Sequence, residues 1–239
     1  MDGVWAPDAS FDAATNRTGI IFTPDHGYFR WGKSTLYDYG MRVPMLMRWK
    51  GTIKPGGTYD GLAANIDMAP TLLDIVGIEP PDDYAMDGVS LKQVIMNGSQ
   101  VPVRKALFSE MGYARAVKTK DWKYIATRYP EPVRQRIERG EKFNNYADHP
   151  PLDKPYLTRN SHLGYYAASK NPHYFDADQL YHLKTDEAED ENVFDQYPEV
   201  ASQMKSALKK ALSDFPNRPF GAFDPERKTR VCVMRDACY

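Results

Sequence analysis

A chain of 239 residues with 42% hydrophobic side chains can bury a sizeable core, in one large domain or two small ones. Lys and Arg number 31 against 32 Asp and Glu, so no overall charge draws it to nucleic acid or to an anionic membrane. No apolar run approaches the ~20 residues that cross a bilayer, and the opening "MDGVWAPDAS" has neither a basic start nor an apolar core, so no signal peptide is read in it. Charge is uneven locally. Basic residues outnumber acidic ones eleven to five from Arg104 to Lys142, whereas Asp176 to Glu199 carries nine carboxylates and only Lys184; both runs read first as solvated faces. The two cysteines, Cys232 and Cys238, allow a small disulfide loop or two free thiols, and do not fix the compartment. Asn16 and Asn97 begin glycosylation-type triplets, a pattern common by chance.

Residues 1–17 lack periodicity and read as a loose leader to a first strand, "TGIIFT". A second apolar run, "VPMLMRW" at 43–49, is followed by turn chemistry in "GTIKPGGTYDG". "NIDMAPTLLDIVGIEPP" predicts a short helix with Asp67 as cap, Pro70 in the first turn, Gly77 at the stop, and Leu72, Leu73 and Val76 as its buried stripe. "ALFSE", "YARAVKT" and "WKYIAT" then predict an antiparallel meander, with a turn at Lys120 and Asp121. Residues 129–175 are polar, rich in Pro, Asn and Tyr, and without clear period. "DQLYHL" supplies another strand. Val200, Met204, Ala207, Leu208, Ala211, Leu212 and Phe215 then fall at helical spacing, which predicts a helix packed on the meander.

The chemistry concentrates in "IIFTPDHGYFRWGK" at 20–33. Asp25 and His26 are neighbours that a continuing strand would point to opposite faces; Pro24 and Gly27 supply the irregularity that lets both turn onto one ion. A carboxylate and a neutral imidazole suit calcium, magnesium, manganese or zinc, depending on what completes the shell; taken alone, the triplet reads first as an ordinary turn. Lys33, flanked by Gly32 and Ser34, lies within reach of an anion held by such a metal and would stabilise charge developing on a tetrahedral oxyanion. Arg42 could act likewise, or form a structural salt bridge at the entrance to the second strand.

In order, "FTPDHG", "GKSTLYDYGMRVPMLMRW", "IKPG", "NIDMAPTLLDIVGI", "MDGVSL", "RAVKTKDWKYI" and "QLYHLKTDEAEDENV" resemble the C-terminal half of a type I, formylglycine-dependent sulfatase of the alkaline phosphatase superfamily, nearest its sulfamidase-like branch. The resemblance runs from Thr18 to about Phe223. It implies an α/β fold: the end of the alkaline-phosphatase-like mixed-sheet domain over 1–100, a small antiparallel sheet with a packed C-terminal helix over 101–223, and a tail over 224–239. It implies Asp25 and His26 as two ligands of one divalent cation, usually calcium, and Lys33 as the lysine that contacts the sulfate group. Tyr37, Gly40, Arg42 and Pro44 match the pattern as scaffold. Asp38 and Tyr39 stand where a glutamate and a glycine are commoner, a departure that touches no nameable chemical role.

The motif C/S-x-P-x-x-R, from which such enzymes make formylglycine, does not occur in these residues, nor does an N-terminal Asp-Asp metal pair. Without the hydrated aldehyde no sulfate ester can be attacked covalently. The chain is therefore expected to lack the formylglycine-bearing N-terminal half, to be inactive alone, and to leave an apolar face or unpaired edge at its first strands. Its expected partners are a sulfated small molecule or glycan, and a missing N-terminal half or an oligomer. His149 and His162 sit in the irregular stretch where they could reach substrate, or are ordinary surface histidines. The alternatives are a metal-dependent phosphoester hydrolase of the same superfamily and a non-catalytic binding remnant. Members of the family are usually exported; the compartment of this chain is left open.

Overall fold

The computed structural model describes residues 18–27, 32, 35–81, 83–129, 131–139 and 170–213. Residues 18–25 and 44–105 pack as one unit, and the described residues of 26–43 and of 106–213 as a second. No described helix is long and apolar enough to cross a membrane.

In the first unit, strand β1 (Ile20–Phe22) pairs antiparallel with β2 (Leu46–Arg48), Ile20 facing Arg48 and Phe22 facing Leu46. The β-branched and aromatic residues of β1 suit a pleated ribbon. Both strands leave apolar side chains in the open, with Phe22 60% and Leu46 63% exposed, as expected of first strands without a covering layer. A 3₁₀ turn at Asn65–Asp67 then leads into helix α2 (Met68–Val76). Gly77 closes this helix in the left-handed region at φ 72°, where its N–H reaches the Asp74 carbonyl and that of Ile78 reaches Leu73. A six-residue helix, α3 (Lys92–Asn97), was too short to show a period in the sequence.

Two expectations about this unit are corrected. Asp67 stands at the N-cap position of α2, but its side chain makes no cap bond to the helix. Its buried carboxylate instead accepts N–H bonds from Ala64 (2.8 Å) and Val89 (2.9 Å) and pairs with both terminal nitrogens of Arg104. Nor are Leu72, Leu73 and Val76 a buried stripe: Leu72 and Val76 are exposed and Leu73 is half-buried. Thr71 faces inward, because its hydroxyl donates to the Asp67 carbonyl and accepts from Leu91 N–H at 2.8 Å, stitching α2 to the start of α3.

The second unit is built on a four-stranded antiparallel sheet in the order β3 (Leu107–Met111), β4 (Ala114–Lys118), β5 (Trp122–Thr127) and β6 (Asp178–His182). These are the expected meander strands and "DQLYHL". Helix α5 (Pro198–Ser213) lays Ala201, Met204, Leu208 and Leu212 on Val117, Tyr124, Ala126 and Leu180. Its expected residue Phe215 lies outside the described residues. The opposite face of the same sheet, formed by Ala116, Ile125 and Tyr181, is covered by Leu36 and Tyr37 from the segment before helix α1 (Asp38–Met41). Successive strand residues point to opposite faces, so Tyr124 and Ala126 serve α5 while Lys123 and Ile125 serve the segment before α1. Residues 131–138, read as lacking a period, form helix α4 (Glu131–Glu138); Arg134 holds it by pairing with Glu131 at 2.5 Å and Glu138 at 2.8 Å.

Leu208 is wholly buried in the α5 contact, so Leu208→Ala should cost about 2–5 kcal/mol in urea unfolding. Burial pushes the Asp67 carboxyl up, but Arg104 and the two backbone donors outweigh it and hold it net below the ordinary carboxylate value. A lowered folded pKa stabilises above the unfolded value of about 4 and stops doing so as pH falls through the folded value. Acid titration of stability should therefore show a loss below about pH 4 that Asp67→Asn reduces.

Candidate active site

The chain passes from the first unit to the second between Asp25 and His26. Strand β1 ends at Phe22, and residues 25–27 form a bend, the irregular turn that the Pro24 and Gly27 pattern requires. Asp25 is exposed and His26 is half-buried. Nδ1 of His26 lies 2.8 Å from the Gly27 carbonyl. A carbonyl only accepts, so this bond needs the proton on Nδ1, and the imidazole lone pair then sits on Nε2, the atom able to ligate.

The turn is fixed on its C-terminal side by close backbone packing. Gly27 donates its N–H to the Gly40 carbonyl at 2.8 Å, and a side chain at Gly27 would run into the Tyr39 carbonyl. Gly32 lies against Gly40, where a side chain on either would overlap the other's backbone. Thr35 closes the loop by giving both its N–H (3.1 Å) and its hydroxyl (2.7 Å) to the Gly32 carbonyl. The glycines are needed here for close approach.

The four-residue helix on which this loop rests is held by a buried ionic cluster. Asp38 Oδ1 accepts from Lys123 Nζ at 2.5 Å, Asp38 Oδ2 pairs with Lys118 Nζ, and Asp38 N–H donates to Glu189 Oε2. Lys123, 2% exposed, also donates to the Leu36 carbonyl at 2.8 Å and lies 2.8 Å from Glu189 Oε1. Burial pushes the Asp38 carboxyl up, yet the two lysines bring it net below the ordinary carboxylate value. Burial holds Glu189 above that value, with the nearby Asp38 charge acting in the same direction. Glu189 has φ 58°, the left-handed region rarely adopted outside glycine, so its backbone is strained to bring the carboxylate to the cluster. Neighbouring Tyr37 donates to Gln179 Oε1 at 2.8 Å and stacks on Tyr39, whose hydroxyl accepts from Asn171.

The sequence reading missed this cluster. Asp38, taken there as a departure without a chemical role, is the most heavily bonded residue of the segment. Its signal lay in Lys123, a cation within the largely apolar run "WKYIAT". Arg42 pairs with Glu187 at 2.8 Å with both side chains largely exposed, the structural salt bridge of the two readings offered, contributing at most about 1 kcal/mol. Lys33, His149 and His162 lie outside the described residues, as do Cys232 and Cys238. Among the described residues no group of three or more His, Cys, Asp or Glu side chains converges on one point. Taken by donor type, Asp25 offers a hard carboxylate oxygen and His26 an imidazole nitrogen, both of which suit a divalent cation.

Comparison with known proteins bears on what this arrangement serves. Residues 24–130 match the family described as N-sulphoglucosamine sulphohydrolase, C-terminal. The chain is 33% identical over 180 residues to an ulvan-active sulfatase of Formosa agariphila, a match covering 67% of this chain and 35% of that protein. It is 37% identical over 106 residues to human N-acetylglucosamine-6-sulfatase, covering 42% of this chain and 19% of that one. A solved structure described as bound to its substrate, D-glucosamine-2-N,6-O-disulfate, superposes with a TM-score of 0.58 at 23% identity, over 85% of this chain and 36% of that one; at that identity the likeness is one of fold. The fold is alkaline-phosphatase-like, as in the solved sulfatase structures it superposes on. The matched family is a C-terminal sulfatase domain, and the curated relatives are sulfatases. It spans about a third or less of the length of the curated relatives it matches.

Gly40→Ala would drive a methyl into the Gly32 carbonyl, and is expected to cost about 1–3 kcal/mol, read as a lowered urea midpoint with unchanged slope.

Proposed function

We propose that the complete protein hydrolyses a sulfate ester or sulfamate on a sulfated sugar or glycan, with Asp25 and His26 as ligands of one calcium ion and Lys33 contacting the sulfate group. The observation that carries this reading is the His26 Nδ1 bond to the Gly27 carbonyl, which in the neutral ring leaves the lone pair on Nε2, in a chain whose relatives are sulfatases. Asp25 would supply the negative charge that a hard cation prefers, and His26 a neutral nitrogen whose tautomer is already set. Once bound, the cation would draw electron density from a sulfate oxygen. Lys33 would act as a point charge on another of those oxygens, worth most as charge builds there in the transition state. The nucleophile would be a formylglycine lying outside this sequence, since no C/S-x-P-x-x-R occurs in it.

The test is sulfate release from glucosamine 6-sulfate and from N-sulfoglucosamine by the complete natural polypeptide, with metal analysis of the same preparation. One calcium per chain is expected, lost in Asp25→Asn and in His26→Ala. Lys33→Ala should lower kcat/KM by about 10²–10³ with the calcium retained. Two zinc or manganese ions per chain, with phosphate released from a phosphoester and no sulfate from either sugar, would replace this reading with the phosphoester hydrolase.

A further inference from the structure

Both carboxylate oxygens and the N–H of Asp38 are engaged, and their partners come from three separate elements. Lys118 comes from β4, Lys123 from β5, and Glu189 from the loop after β6. A single buried ion pair would fix a distance. Three partners from three elements, with Lys123 also tied to the Leu36 carbonyl, fix the position and the orientation of α1. That helix has four residues and no side-chain cap, far too short to hold a geometry by its own hydrogen bonds. Two residues on from Asp38, the Gly40 carbonyl takes the Gly27 N–H, and the Gly27 carbonyl in turn faces His26 Nδ1. Gly32, which precedes Lys33 in the sequence, rests on Gly40 as well. An error in the placement of Asp38 would therefore pass to the histidine turn through backbone contacts with no room to absorb it.

We propose that Asp38, Lys118, Lys123 and Glu189 form a positioning cluster for His26, setting the direction from which its imidazole meets the cation, beyond their part in holding the fold. The proposal rests on the reading of His26 as a cation ligand. None of the four touches substrate or metal; they act through α1, Gly40 and Gly27. Partners that orient a ligating histidine characteristically influence metal affinity, with losses of about 10–100-fold when they are removed.

The experiment uses the complete natural polypeptide and compares wild type with Asp38→Asn, Asp38→Glu and Lys118→Met. Calcium affinity is read by isothermal titration, and kcat and KM for sulfate release are read well below each variant's unfolding midpoint. Asp38→Asn is expected to weaken calcium binding about 10–100-fold and to lower kcat with KM little changed. Asp38→Glu keeps the carboxylate and is expected to recover most of both. The Lys118 ammonium is partly exposed, so Lys118→Met is expected to fold and to shift affinity and kcat in the same direction by less; it decides the matter should Asp38→Asn fail to fold. Wild-type calcium affinity and kcat in the folded variants, however far their melting temperatures fall, would overturn the proposal and leave a purely structural cluster. A wild-type protein that binds no calcium and releases no sulfate would overturn the proposal together with the reading it rests on.

Discussion

A lysine buried between the two layers of the second unit is the constraint from which the rest of that unit follows. Lys123 stands on a strand covered on both faces, by α5 on one side and by the segment ending in α1 on the other, so its ammonium has no route to water. An unpaired charge in that position would cost several kcal/mol. Asp38 and Glu189 both reach it, and Lys118 pairs with the other oxygen of Asp38. Such a cluster contributes little net stability over a well-packed apolar core of the same volume. What it adds is direction. Apolar packing of Leu36 and Tyr37 on Ala116, Ile125 and Tyr181 would let the covering segment slide, whereas three charged partners on separate elements define one seat for α1.

The seat matters because of what the same segment carries. The described residues of 26–43 belong with the small sheet although the chain reaches them from the other unit. His26, the bend around it, and the glycines that pack against Gly40 are all attached to α1 through backbone contacts. The Tyr37 hydroxyl on Gln179 and the Asn171 amide on Tyr39 reinforce the attachment on the same face. The small sheet thus supports the backbone turn that carries His26.

Much of this architecture was legible in the sequence where local chemistry decides the outcome. The β-branched and aromatic runs at 20–22 and 122–127 form strands, Gly77 adopts the left-handed stop, and the stripe from Val200 to Leu212 packs as its spacing requires. What was not legible depended on distant partners. Asp67 looks like a helix cap because Pro70 follows at the right spacing, yet Arg104, 37 positions away, claims its carboxylate. Leu72 and Val76 look buried because their spacing is helical, but Thr71 has polar partners on both sides and turns its own face inward. Asp38 sits 85 positions before Lys123, and no local pattern joins the two. The pair Asp25 and His26 is read from its chemistry alone, while the contact that fixes the Nδ1 proton of His26 needed the Gly27 carbonyl.

Hydrogen exchange at single amides examines the link between cluster and site most directly, since the Gly27 N–H is itself the bond to the Gly40 carbonyl. In Lys123→Met, at a temperature where the protein stays folded, the Gly27 amide should exchange markedly faster while the amides of α5, on the other face of the sheet, keep their protection. Unchanged protection at Gly27 in that variant would contradict the account, because the turn that carries His26 would then hold its place without the buried lysine.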